Sequence, residues 1–250
     1  TLTGLRNQYG FFEDISRYIQ NRREVRIAVL GISKLAEINA VYGYSLGNIV
    51  LQRFGRYLME HVSDRSNTYR LDGSKFAVIT ENQSFEELKN TYERIRAYFR
   101  EGLDIDGTFV ALELNAATFV LDDYDADEQT VYACLNFAYA ESKNSKYGDL
   151  VEFQNMVIRP ILEALISTSA TSLTVSGEEH ISSLPTLFIS NHRDIVMDPS
   201  LLALSLMRTT GTTCEIAIGD NLLAAEWIRT LVRLNRCFIV KRGLIPRDMA

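Results

Sequence analysis

Three histidines occur in this 250-residue chain, and one of them, His192, stands in a run suited to acid–base work: Ile189-Ser-Asn-His-Arg-Asp-Ile-Val-Met-Asp-Pro199. Two carboxylates follow it at short spacing, Asp194 and Asp198. An imidazole titrates near neutrality, and a neighbouring carboxylate can hold it in the tautomer that takes a proton from a hydroxyl. The other two histidines have plainer settings. His180 lies among acids in a turn-like run and reads as solvated. His61 ends a helical pattern, where a cation suits the helix dipole.

The elements around His192 give it a place in a fold. Residues 185–190 read as a buried strand, and residues 199–206 as an apolar helix begun by Pro199. Residues 214–218 read as a second strand, followed by Gly219-Asp220-Asn221. Residues 225–234, with the only tryptophan, Trp227, read as a helix, and residues 237–240 as a third strand closed by Lys241-Arg242. Strands alternating with helices predict a parallel α/β sheet, whose sites gather beyond the carboxyl ends of its strands. His192, Asn221 and Lys241-Arg242 each follow such an end. Between Trp227 and Arg247 there are six basic residues and no acids. A solvated helix face and attraction to anionic lipid are open readings of that patch. The strand-end position of Lys241 and Arg242 favours a phosphate.

Bulk properties narrow the function classes. The chain is 46% hydrophobic with a net charge of −6, enough for one large core or two small ones. The charge is uneven: residues 1–155 carry 17 basic and 23 acidic residues, residues 156–250 nine of each. An acidic first part argues against nucleic-acid binding. Cys134, Cys214 and Cys237 form no C-x-x-C pair, so neither a disulfide framework nor a zinc site is expected. With no signal peptide and no transmembrane run in the sequence, the expected location is cytoplasmic, with room for contact at the inner membrane face. The chain opens inside a motif-like run, Thr1-Leu-Thr-Gly-Leu-Arg-Asn7, and is expected to be a fragment.

The first 155 residues alternate helical and strand patterns. Helices are predicted at 11–19, 35–39, 49–62, 85–99 and 127–142. The two around residues 42–47 are separated by Tyr42-Gly43-Tyr44-Ser45-Leu46-Gly47. Strands are predicted at 25–32, 68–71, 75–80, 108–120 and 150–153, with Asp72-Gly73 marking a hairpin. That order predicts an α/β sandwich. A helix at 156–166 with Pro160 in its first turn, a Ser/Thr-rich linker at 167–172 and a short strand at 173–175 lead into the second part.

Leu2-Thr-Gly-Leu-Arg-Asn7, Ile38-Asn39, Tyr42-Gly43, Gly47, Val50-Leu51 and Arg70-Leu71 before the hairpin resemble, in order, a GGDEF (diguanylate cyclase) domain over about 150 residues. The resemblance implies that family's α/β fold and also exposes what the chemistry lacks. The signature turn reads Asp72-Gly73-Ser74-Lys75-Phe76, so Ser74 and Lys75 replace the acidic pair. The strand-end aspartates align with Gly31 and Ser33, and the guanine-contacting acid with Asn48. The window of the product-inhibition motif reads Asp64-Arg65-Ser66-Asn67. Asn39 alone matches a base-contacting position. Two-metal phosphoryl transfer needs carboxylates around its ions, so the domain is expected to lack cyclase activity and to act in regulation, dimerisation or guanine-nucleotide sensing.

The second part resembles the glycerolipid acyltransferases, which act on glycerol 3-phosphate or 1-acylglycerol 3-phosphate. The match runs through Ser190-Asn-His-Arg193 with its Asp-Pro, Ile218-Gly-Asp-Asn-Leu222 and Phe238-Ile-Val-Lys-Arg242. The resemblance implies His192 as general base and Asp198 or Asp194 as the carboxylate that orients it. Arg193, Asn221, Lys241 and Arg242 would bind a phosphate-bearing glycerolipid acceptor. The acyl donor would be acyl-CoA or acyl carrier protein, with neither cofactor nor metal. The family places four residues between His and Asp. Here Asp198 follows after five and Asp194 after one, and the Asp-Pro context favours Asp198. The expected organisation is a degenerate GGDEF-like domain over 1–155, a helix and linker over 156–184, and the first part of an acyltransferase domain over 185–250.

Overall fold

The computed structural model describes residues 2–62, 67–121, 126–143, 149–153, 158–181, 186–189, 197–210, 213–220 and 237–240. The chain forms two compact units, Thr1–Glu152 and Phe153–Ala250, and both are α/β.

The first unit is built on a five-stranded sheet with strand order β2-β3-β1-β6-β7. Its centre is β1 (Val25–Ile32), whose residues are nearly all buried. A strand covered on both faces cannot alternate apolar with polar residues, which is why this stretch reads as a continuous apolar run. β3 (Lys75–Thr80) and β6 (Leu114–Leu121) flank it, both antiparallel. β2 (Thr68–Arg70) extends the sheet beyond β3, and β7 (Leu150–Glu152) runs parallel to β6. Helices α1 (Gln8–Gln20) and α4 (Glu128–Ser142) pack together on one face. On the other lie α2 (Leu35–His61) and α3 (Phe85–Glu101). There Ala28, Leu30 and Ile32 of β1 join Phe54, Phe76 and Phe99 in the main core.

Local chemistry fixes the ends of these helices. The Asn7 side chain accepts from the Gly10 amide at 3.2 Å and starts α1. Ser84 and Glu87 form a reciprocal capping box at α3, and Asp127 accepts from the Thr130 amide at 2.7 Å at α4. The break predicted within residues 42–47 is sharper than expected: α2 is one helical run interrupted at Gly43 alone, with φ 85° and ψ 160°. The N-terminal segment joins the sheet edge through a parallel bridge between Arg6 and Tyr69, and the Arg70 amide donates to the Arg6 carbonyl at 2.8 Å. Below that bridge the buried carboxylate of Asp14 accepts from Arg6 and from the Tyr69 hydroxyl.

Several expectations need correction. The single strand predicted over 108–120 is two, β5 (Thr108–Val110) and β6, because β5 turns back on β4 (Leu103–Ile105). Their two-residue turn is Asp106-Gly107, both at positive φ, the conformation that a tight hairpin demands. The Ser/Thr-rich stretch after residue 166 is partly helical. α5 (Arg159–Ser169) continues through it, with the Ser167 and Thr168 hydroxyls donating to the Ala164 carbonyl. Residues 173–175 form no strand.

In the second unit, α5 packs with α6 (Met197–Thr210), and Glu163 bridges Arg159 at 3.1 Å and Arg208 at 3.6 Å. β8 (Ile216–Gly219) and β9 (Cys237–Val240) are parallel, with Ile216 opposite Cys237 and Gly219 opposite Val240. The strand expected over 185–190 is absent from its described part. Residues 186–189 are irregular, and Leu187 and Ile189 are 84% and 88% exposed. Apolar residues become a strand only where a neighbouring edge takes their backbone groups. The helix expected at 225–234 lies outside the described residues.

Candidate functional site

The register of the central sheet places the first unit's altered motif in one row. Gly31 of β1 stands opposite Lys75 of β3 on one side and Asn115 of β6 on the other. All three face α4. A β-carbon on Gly31 would run into the hydroxyl and ring of Tyr139, with ring Cε2 only 2.8 Å away. The Lys75 ammonium lies 2.9 Å from Asp72 Oδ2 and donates to Asn136 Oδ1 at 2.8 Å. Asn115 donates to the Ser142 carbonyl at 3.3 Å and accepts from the Ser33 hydroxyl. The signature turn closes through Lys75 N to Asp72 O at 2.7 Å and is tied to β1 by Ile32 N to Ser74 O at 3.2 Å.

Lys75 and Asn115 of this row line a cleft of about 1070 Å³ at the carboxyl end of β1. Its nearby carboxylates are already engaged: Asp72 by Lys75 and by the Tyr132 hydroxyl at 3.2 Å, Glu113 by Lys34 at 3.0 Å. Burial holds the Tyr139 and Tyr132 hydroxyls above the usual phenol range, and the charge of Asp72 adds to the effect. The hydrogen bond to Glu113 raises the Lys34 ammonium. Divalent ions of phosphoryl transfer need free carboxylate oxygens. At the two strand-end positions and the turn, the chain offers a glycine, a serine and a lysine. Among the described residues no group of three or more His, Cys, Asp or Glu side chains could hold a metal. The residues do not fit a metal pair.

Asn39 and Asn48 flank the Gly43 break from either side. The Asn39 side chain lies against Gly47, where a β-carbon would meet its amide, and Asn48 is exposed. Asp64, Arg65 and Ser66 lie outside the described residues.

In the second unit Asp198 is half-buried in the first turn of α6, followed by Pro199. His192, Arg193, Asp194, Asn221, Lys241 and Arg242 lie outside the described residues. The paired ends of β8 and β9, Gly219 opposite Val240, are the points from which the sequence runs on towards Asn221 and into Lys241-Arg242. A groove of about 430 Å³ lies along α6, walled by Leu201, Leu202 and Leu206 and by Leu173, Val175 and Ile181. Residues 198, 201, 202, 205 and 206 follow the i, i+3, i+4, i+7, i+8 spacing of one helix face. Asp198 therefore heads the face that lines the groove. The spacing of the leucines was visible in the sequence; the opposing wall, in a segment without regular structure, was not.

The geometry agrees with comparisons to known proteins. Residues 1–133 match the family model described as diguanylate cyclase, GGDEF domain. Residues 172–249 match the acyltransferase model. A 96-residue stretch is 26% identical to the diguanylate cyclase VdcA of Vibrio cholerae serotype O1, covering 38% of this chain and 28% of VdcA. The chain thus spans little more than a quarter of that relative. Among solved structures, the diguanylate cyclase SiaD of Pseudomonas aeruginosa, crystallised with its activator SiaC, superposes with a TM-score of 0.55 at 16% identity over 60% of each chain. The GGDEF domain of DgcB from Caulobacter crescentus, in complex with c-di-GMP, gives 0.53 at 18% identity over 61% of this chain and 90% of its own. At these identities the structural likeness speaks for the fold.

Proposed function

The chain belongs to the diguanylate cyclase GGDEF family, and from that premise we propose a two-part enzyme in which a non-cyclising GGDEF unit regulates a glycerolipid acyltransferase. Support for the first half is the row Gly31–Lys75–Asn115, which presents no carboxylate where the family's metals would need one. The observation that carries the second half is Asp198 in the first turn of α6, on the helix face whose Leu201, Leu202 and Leu206 line an apolar groove further along, inside the stretch that matches the acyltransferase model.

In this reading His192 takes the proton of a glycerol-phosphate hydroxyl, and Asp198 orients the imidazole. The freed oxygen attacks the thioester carbonyl of acyl-CoA or acyl carrier protein. The carbon–sulfur bond breaks, and the departing thiolate recovers the proton from the imidazolium. The product is an ester and a free thiol. Arg193, Asn221, Lys241 and Arg242 hold the acceptor's phosphate, and the groove takes the first part of the acyl chain, a match of apolar surface to apolar chain. Basic residues near Lys241 suit an anionic membrane surface. Among the described residues no helix is long and apolar enough to cross a membrane.

The test is transfer of a radiolabelled acyl group to glycerol 3-phosphate or lysophosphatidate by the complete protein. Transfer that His192→Ala removes supports the reading. No transfer to any acceptor, or an unchanged His192→Ala variant, would sink it. Chromatography of GTP reactions in magnesium tests the first half separately, with no cyclic dinucleotide expected.

A further inference from the structure

β7 is the last described element of the first unit, and its three residues form one edge of the sheet. It lies parallel on β6, with Leu150 opposite Ala116 and Glu152 opposite Thr118, while the sheet's other ladders are antiparallel. So short an edge strand has few backbone bonds and belongs to the part of a fold that opens most easily. Two ion pairs hold its ends. Just ahead of it, Asp149 pairs with Arg96 of α3 at 2.7 Å. At its last residue, Glu152 reaches across β6 to Arg26 of β1 at 3.1 Å, the two side chains being 13% and 15% exposed. Arg26 is itself fixed, by the Gln83 carbonyl at 3.4 Å and over the ring of Phe85.

The chain leaves β7 at Glu152 and enters the second unit at Phe153. α5 follows, and it starts without a capping side chain, Ile158 standing at its N-cap. A helix start with no cap is weakly fixed by its own residues, so the order of its first turn depends on the chain ahead. α5 packs with α6, and Glu163 reaches Arg208 at 3.6 Å. α6 carries Asp198 in its first turn.

We propose that β7 is the output strand of the regulatory unit: an edge strand latched at both ends, whose release from β6 loosens the start of α5 and, through α5 on α6, the turn that holds Asp198. The latches are unequal. The Asp149–Arg96 pair is partly exposed and weakened by salt, whereas the Arg26–Glu152 pair is screened little. Removing one member of the inner pair costs more, because the other stays charged and mostly out of water. Only the last step, from α6 to catalysis, rests on the acyltransferase reading of the second unit.

The experiment is hydrogen exchange by mass spectrometry on the complete chain. The peptide over 150–152 should exchange faster than those of β1 and β6 in the wild type. Asp149→Asn, at the more exposed latch where folding is not at stake, should speed it roughly threefold. Glu152→Gln should speed it at least about tenfold, and Asp149→Asn decides the question if that variant fails to fold. In both variants the β1 peptide should keep its wild-type rate, the first turn of α5 should exchange faster, and acyl transfer should change with it. Glu93→Gln, an exposed charge on α3, should alter none of these. A β7 peptide indifferent to Asp149→Asn, or an α5 that keeps its rate when β7 is freed, would overturn the proposal. So would a faster α5 with unchanged acyl transfer. A wild-type chain that transfers no acyl group would instead overturn the reading beneath, and the exchange of β7 and α5 would still decide the strand's role.

Discussion

Tyr139 on α4 fills the space that a side chain on Gly31 of β1 would need. The ring is 7% exposed and packed, so it has little room to yield. Replacing one residue cannot put an aspartate back here. Gly31→Asp should destabilise the chain by about 1–3 kcal/mol through overpacking. Tyr139→Ala should destabilise it by opening a void. The double variant should recover part of the loss, with a coupling on the order of 1 kcal/mol in denaturant unfolding. Additive losses would show that the two residues do not compete for the same space.

Magnesium and manganese should leave the thermal midpoint unchanged. A ligand that binds only the folded state raises stability with its concentration. The Gly31–Lys75–Asn115 row gives a divalent ion nothing to hold, so a rising midpoint in scanning fluorimetry would contradict the site geometry.

The rings of Phe76 and Phe99 lie 4.8 and 4.9 Å from that of Phe54, which is fully buried. Phe54→Ala should cost about 3–5 kcal/mol. Because α2, β3 and α3 all meet at this ring, the loss should appear as a lower midpoint in denaturant with an unchanged slope.

Burial raises Tyr69, Tyr92 and Tyr139, with Asp14 adding to the effect at Tyr69, and pushes Tyr18 up to about 12. An exposed phenol in the unfolded chain ionises near about pH 10. The folded state holds these protons more tightly, so their contribution is complete below about pH 10 and is lost as pH rises through the folded values. The thermal midpoint should fall above about pH 10. Phenolate absorbance from these rings should appear together with unfolding rather than before it.

Asp198 heads the groove-lining face of α6, and Asp194 precedes the helix. If Asp198 orients His192, Asp198→Asn should lower acyl transfer by roughly 10²–10⁴-fold, the range for disabling an acid–base pair. Asp194→Asn should change it less. The reverse ranking in steady-state assays would hand the role to Asp194.

Much of this was legible in the sequence because its strongest signals are local. The apolar run at 25–32 and the Asp72-Gly73 turn each act within a few positions. The second Asp-Gly pair, at 106–107, carried the same signal, but residues 103–105 ahead of it are too few to read as a strand, so the strand read over 108–120 had no partner to turn back on. Leu187 and Ile189 looked buried because composition says nothing about whether a partner strand arrives. The loss of carboxylates at Gly31, Ser33 and Lys75 could be read from the motif. That Tyr139 fills the gap could not, since residues 31 and 139 meet only through the packing of α4 on the sheet. The second partner of Lys75 was likewise hidden: its ion pair with Asp72 is local, but Asn136, which accepts a hydrogen bond from it, lies 61 positions away.

The bond from the Arg70 amide to the Arg6 carbonyl has a practical consequence. That amide belongs to the edge strand β2, and its acceptor is not another strand but the segment ahead of α1. Its deuterium uptake therefore clocks detachment of that segment from the sheet. Arg70 lies two residues ahead of Asp72, the acid that holds Lys75. A single amide thus gives an isotope-exchange reporter at the margin of the cleft, readable by mass spectrometry on the unlabelled wild-type chain.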